Sequence, residues 1–124
     1  MTMIGAHVLL YSSNADADRA FVRDVLQFHF VDVGHGWLIF RLPPAEAAIH
    51  PAEGDAASRA PGEDVLRADL YLMCDDLEAQ IKTFKQKGVV CTGVMTERWG
   101  IRTTIVLPSG GRLGLYQPLH STAI

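Results

Sequence analysis

The sequence repeats its own order of structural signals, and that repeat constrains the fold more than any single motif. A shift of 62 residues lays one half on the other: His7 falls on Asp69, Ser12 on Cys74, Asn14 on Asp76 and Val22 on Phe84. The offset grows toward the end of each half, where Pro43 matches Pro108 and Pro51 matches Pro118, so the second copy carries a few extra residues. Each copy runs through an apolar strand, an amphipathic helix and three further strand-like runs divided by turn residues. With 124 residues, 48% of them hydrophobic and 20% charged, the chain can build one core without metal or disulfide staples. One domain is expected, with module one over 1–50, a linker over 51–66 and module two over 67–124.

In module one a strand is expected over 4–12. Ser13, Asn14 and Asp16 then offer N-cap candidates and first-turn acid, and Ala17, Phe21 and Val25, flanked by Val22 and Leu26, form one helical face. Strand runs over 28–33 and 37–42 flank a Gly34-His35-Gly36 turn, and a short run over 45–50 follows the Pro43-Pro44 break. Module two repeats the order: a strand over 68–74, a cap at Asp75-Asp76, a helix face of Leu77, Ile81 and Phe84, and a stop at Gly88. Runs over 89–96, 101–107 and 112–117 complete it, the last two joined by Pro108-Ser109-Gly110-Gly111. The linker is rich in Pro, Gly, Ala and acidic residues, lacks hydrophobic period, and reads as surface.

A net charge of -3 with no basic run argues against nucleic-acid and anionic-membrane partners. The N-terminus has no charged leader followed by an apolar core, and no run of 18 apolar residues occurs, so a cytoplasmic location is expected. Cys74 and Cys91 lie in apolar runs and read as small core hydrophobes in a reducing compartment. No Gly-x-Ser-x-Gly or phosphate-loop motif is present, and Ser109 belongs to an ordinary turn.

Two tandem βαβββ units, opened by HVLLYSSNADADRAFVRDVLQF and closed by LPSGGRLGLYQP, resemble the vicinal oxygen chelate superfamily of glyoxalases, bleomycin-resistance proteins and extradiol dioxygenases. The resemblance covers nearly the whole chain. It implies an α+β fold in which two tandem βαβββ modules form a cupped mixed sheet around a cavity, commonly as a homodimer. In metal-dependent members the ligands come from the first and last strands of each module. Those positions fall on His7 and Ala47 in module one, and on Asp69 and Gly114 in module two. Ala47 and Gly114 have no donor atom. A register shift of one residue substitutes Glu46 for Ala47, so a divalent metal, if bound, would draw on His7, Glu46 and Asp69; no other cofactor is expected. A lone His at a strand start is, on the plainer reading, a hydrogen-bonded pocket or core residue.

If the family's ligand positions mark the concave face, strand alternation brings His7, Trp37, Asp69, Tyr71, Arg102, Thr104 and Tyr116 to it. Aromatic walls beside a guanidinium suit a small, partly aromatic or anionic compound whose carboxylate pairs with Arg102. The plainer reading treats the aromatics as core filling and a strand-end Arg as solvated rim. The expected function is small-molecule binding of the glyoxalase/bleomycin-resistance type, with a degraded metal site. The alternative is a metal-dependent lyase or extradiol-type dioxygenase using His7 and Asp69, and a third class is a ligand-free interaction module.

Overall fold

Both helices begin where a short polar side chain can hold the first turn. Asn14 precedes α1 (Ala15–Asp24) and accepts from the Ala17 amide at 3.3 Å; Asp76 precedes α2 (Leu77–Gln86) and accepts from Ala79 at 3.0 Å. Each bond satisfies an amide that the helix itself leaves unpaired. Gly88, at φ +75°, ends α2 in the left-handed region, and the Val89 amide returns to the Phe84 carbonyl at 2.9 Å. The caps and the stop are those expected from the sequence. The structure is a computed structural model that describes residues 2–51 and 67–124; the linker, apart from Pro51, lies outside the described residues.

The chain divides into two compact units, one of Met1–Arg41 with Leu107–Gly111, the other of Leu42–Val106 with Arg112–Ile124. The second holds a four-stranded mixed sheet built from β3 (Tyr71–Met73), β4 (Met95–Thr96), β5 (Gly100–Val106) and β6 (Arg112–Pro118) in the order β3-β6-β5-β4. β3 pairs with β6 in parallel, while β6 with β5 and β5 with β4 are antiparallel. Together with α2 this is a complete βαβββ module. On one face Thr103, Ile105, Leu113 and Leu115 are buried, as are Leu77 and Phe84 of α2. Thr103 donates to the Thr92 carbonyl at 2.7 Å, which removes the cost of burying its hydroxyl.

The first unit contains α1 and an antiparallel hairpin of β1 (Phe30–Asp32) and β2 (Leu38–Phe40). Phe30 and Phe40 are register partners with ring centroids 5.9 Å apart. The hairpin turns through Gly34, His35 and Gly36, all at positive φ, and Asp32 accepts from the Gly34 amide at 2.8 Å.

Three expected strands differ. The run 4–12 forms no strand: Ile4 and Tyr11 are 99% and 91% exposed. Alternating apolar residues make a segment able to pair, but a strand exists only where a second backbone accepts its ladder. The run 45–50 is also not a strand. It lies between Pro43-Pro44 and Pro51, which lack amide donors, and three of its six residues are Ala, a poor strand former. The run 89–96 keeps only Met95–Thr96 and a single bridge from Cys91 to Ile105.

Asp18 is the buried charge of the first unit, at 8% exposure. Its carboxylate accepts from the Ser12 hydroxyl at 2.6 Å, the Ser109 hydroxyl at 2.6 Å and the Ser109 amide at 3.0 Å. Burial alone would raise its pKa, but the Ser109 hydroxyl, the Ser12 hydroxyl and the Ser109 amide together hold it below the usual 3.8. A lowered folded pKa means stability that is present above the unfolded value and lost as pH falls through the folded one. Asp18→Asn should cost about 1–2 kcal/mol at pH 7, the worth of exchanging charge-assisted for neutral bonds. The gap to wild type should close as pH drops below about 4, as measured by urea unfolding across pH; a gap independent of pH would show that Asp18 contributes nothing through its charge.

Candidate functional site

The face of the second unit's sheet opposite Ile105 and Leu115 carries the residues with chemistry. The register pairs Tyr71 with Gly114, Gly114 with Thr104, and Tyr116 with both Met73 and Arg102. Tyr71, Arg102, Thr104 and Tyr116, expected together from alternation, therefore share one face. The reason is covalent geometry: once β3, β6 and β5 are paired, every second residue of each strand must emerge on the same side.

Gly114 sets the arrangement of the rings. A Cβ built on it would overlap the Tyr71 ring, so the ring lies directly over the glycine backbone. Tyr71, Tyr116 and Trp99 then meet edge to face, with centroids 5.7 Å apart for Tyr71 and Tyr116, 5.6 Å for Trp99 and Tyr116 and 6.5 Å for Tyr71 and Trp99. These spacings are in the favourable range for aromatic quadrupoles. Trp99 remains 42% exposed. Gly100 is equally confined, since a Cβ there would come within 2.9 Å of the Gln117 carbonyl and 3.0 Å of the Tyr116 ring.

Beside the rings, Arg102 donates from Nη2 to Glu97 at 3.2 Å and lies 3.5 Å from the Met95 sulfur. Its Nε is buried without an acceptor among the described residues. The Thr104 hydroxyl is engaged with Thr92 at 2.9 Å. On the other side of Tyr116, the His120 ring is 6.2 Å away and its Nε2 is 3.4 Å from the tyrosine hydroxyl. Burial, and then the Glu46 carboxylate, push the Tyr116 phenol up, so it remains a protonated donor at neutral pH. Glu46 itself accepts from the Ala123 amide at 3.2 Å. A cleft of about 490 Å³ opens next to these groups, lined by Met73, Cys74, Gln117, Pro118, His120 and Thr122 among others. Burial, followed by Asp75 and Asp76, raises the Cys74 thiol, which keeps it protonated and a weak nucleophile. Both cysteines are free thiols.

Of the other expected site residues, Asp69 is exposed just ahead of β3. His7 is an exposed residue of the first unit, where Trp37 carries the Arg19 guanidinium 4.5 Å above its ring. Two residues of the aromatic face, Trp99 and Glu97, were not anticipated. Glu97 lies just past the expected strand over 89–96, and its place follows only from the observed pairing: the Met95 and Arg102 register puts it opposite Gly100, hence diagonal to Arg102 on the same face. Trp99 lies in the tight turn between β4 and β5, where the two-residue period gives no direction.

No protein-family model matches the sequence, and no curated protein is significantly similar to it. Solved structures do match. TnmS3, an antibiotic binding protein from Streptomyces sp. CB03234, is 22% identical with TM-score 0.59 over 94% of this chain and 99% of its own. A lactoylglutathione lyase from Agrobacterium tumefaciens is 18% identical with TM-score 0.59 over 94% and 96%. A glyoxalase/bleomycin resistance protein from the same Streptomyces is 22% identical with TM-score 0.53 over 86% and 93%. The chain has the vicinal oxygen chelate fold. The β3-β6-β5-β4 order around α2 is its second module, in which the resemblance marks Asp69 and Gly114 as the first- and last-strand ligand positions. Among the described residues no three His, Cys, Asp or Glu side chains are grouped so as to hold a metal ion, and no helix is long and apolar enough to cross a membrane.

The contact of Tyr71 with Gly114 generates a steric prediction. Gly114→Ala should destabilise the protein by about 1–3 kcal/mol, the usual cost of overpacking. Much of that loss should vanish when Tyr71→Ala is also present, because the second change removes the ring that the new methyl meets. Denaturant melts of the two single variants and the double variant measure the coupling; additive losses would place the strain elsewhere.

Proposed function

We propose that the chain is a small-molecule binding protein of the glyoxalase/bleomycin-resistance type, in which the two modules make one domain and a small, partly aromatic or anionic compound is the ligand. The observation that carries this reading is the Tyr71, Trp99 and Tyr116 cluster: three rings on a sheet face, one of them 42% exposed, beside an arginine Nε that has no acceptor among the described residues. A ring face left partly in water gives a planar compound surface to bury, and convergent polar groups orient it. Tyr71, Arg102 and Tyr116 are the proposed contacts, with Thr104 shaping the floor. A cytoplasmic homodimer is part of the same proposal, supported by the apolar run 4–12, whose exposed residues invite burial against a second copy.

The enzyme alternative is less favoured because the residues do not fit the metal. Two of the four positions that the resemblance marks, Ala47 and Gly114, offer no donor, and Tyr71 lies over the second. Neighbours of the same fold include an antibiotic binding protein and a lactoylglutathione lyase, so the fold alone does not choose between binding and catalysis.

Two measurements test the reading. Thermal shift over a panel of bicyclic aromatic amides, acids and quinones should find compounds that raise the melting temperature of the wild type. Trp99→Ala should weaken their binding about tenfold, about 1.4 kcal/mol. A panel with no stabilising compound would sink the proposal. Elemental analysis of purified protein should find well under one divalent ion per chain. Stoichiometric metal that survives dialysis and is lost in His7→Ala would overturn the binding-protein reading.

A further inference from the structure

We propose that the ion pair of Glu97 with Arg102 makes the aromatic face selective for uncharged planar compounds bearing a carbonyl-type acceptor, with Glu97 as the specificity-determining residue and Trp99 as the stacking surface that charged and uncharged compounds share. The inference rests on the ligand-binding reading above and narrows its ligand class.

The hairpin of β4 and β5 builds the pair. Met95 opposes Arg102 and Thr96 opposes Ile101; the Glu97 amide continues the ladder to the Gly100 carbonyl at 2.8 Å. Glu97 thus emerges on the same face as Arg102, one step along the sheet, and its carboxylate meets Nη2 at 3.2 Å. The two side chains are 29% and 32% exposed, so the pair is partly withdrawn from water.

An arginine in that state is not a free anion receptor. A ligand carboxylate brought to Arg102 meets the guanidinium and, beyond it, the Glu97 carboxylate that lies 3.2 Å from Nη2, so repulsion offsets part of the attraction. The ligand still loses its hydration on entering, and a single hydrogen bond does not repay the desolvation of a full charge. A neutral carbonyl avoids both costs. The Arg102 Nε–H, shielded from water, has no acceptor among the described residues. A carbonyl oxygen meets it when the Arg102 side chain turns to present Nε–H to the ligand, and then supplies a hydrogen bond missing from the free protein. Trp99, 42% exposed, is the most exposed ring of the cluster and provides the stacking surface.

The test compares 2-naphthamide with 2-naphthoate at pH 7, the same ring system without and with charge, by isothermal titration calorimetry on the full chain. Wild type should bind the amide at least tenfold more tightly. Glu97→Gln removes the opposing charge and should move the amide-to-acid ratio by at least tenfold toward the acid, while Trp99→Ala should weaken both compounds alike. An acid bound as tightly as the amide by wild type, or a ratio unchanged by Glu97→Gln, overturns this inference and leaves the ligand-binding reading intact; indifference to Trp99→Ala overturns this inference and also removes the aromatic cluster as the binding surface. If neither compound binds wild type, and the wider panel finds none, the ligand-binding reading itself has failed. Should Glu97→Gln not fold, the wild-type ratio alone decides the sign.

Discussion

A parallel pair of strands cannot be joined by a tight turn, and the second module is organised around that constraint. β3 lies parallel to β6, so the chain leaving Met73 must cross back before it can pair again. α2 makes the crossing, capped by Asp76 at its start and released by Gly88 at its end. The intervening β4 and β5 then fill the sheet by antiparallel hairpins, which need only short turns. Because β3 contributes just three residues to the pair, the contact of Tyr71 with Gly114 weighs heavily in it. That contact requires glycine, and the ring that rests on it carries the positions of Tyr116 and Trp99 with it.

What could be read from the sequence follows the range of the forces involved. Helix caps depend on a side chain and an amide three residues on, so Asn14 and Asp76 were legible from local order alone. Facing on a strand depends on the two-residue period, so the shared face of Tyr71, Arg102, Thr104 and Tyr116 was legible as soon as their strands were. Pairing is different, because the alternation in 4–12 says which side each residue would take without saying that another edge is available. In module two the corresponding run finds β6; in module one the run 45–50 is bounded by prolines and forms no strand. Turn-borne residues are equally silent, which is why Trp99 went unassigned although it touches both tyrosines.

Arg102 illustrates a further limit of reading residues singly. Alternation placed it on the correct face, and an isolated guanidinium among aromatics invites an anion. The structure supplies Glu97 diagonal to it, and the chemistry of the position becomes that of the pair. Asp18 shows the same effect with the opposite sign. A helix-start aspartate ordinarily helps by its charge near the helix N-terminus, yet here the carboxylate is buried and owes its ionised state to two serines, one of them Ser109 in a turn that sequence order alone treats as connecting chain.

On the proposed reading, the residue at position 114 decides which of two uses its strand can serve. A last-strand position that bears a carboxylate keeps the neighbouring strand's side chain at a distance, because the donor and the space in front of it are needed for an ion and its ligands. Glycine at that position does the reverse: with no Cβ to hold it off, the Tyr71 ring closes onto the backbone and fills the space with an apolar surface. The two arrangements exclude each other sterically. A carboxylate introduced at residue 114 would therefore have to displace Tyr71 and loosen its contacts with Tyr116 and Trp99 before it could serve as a ligand, so a metal site there and the aromatic face would compete for the same volume.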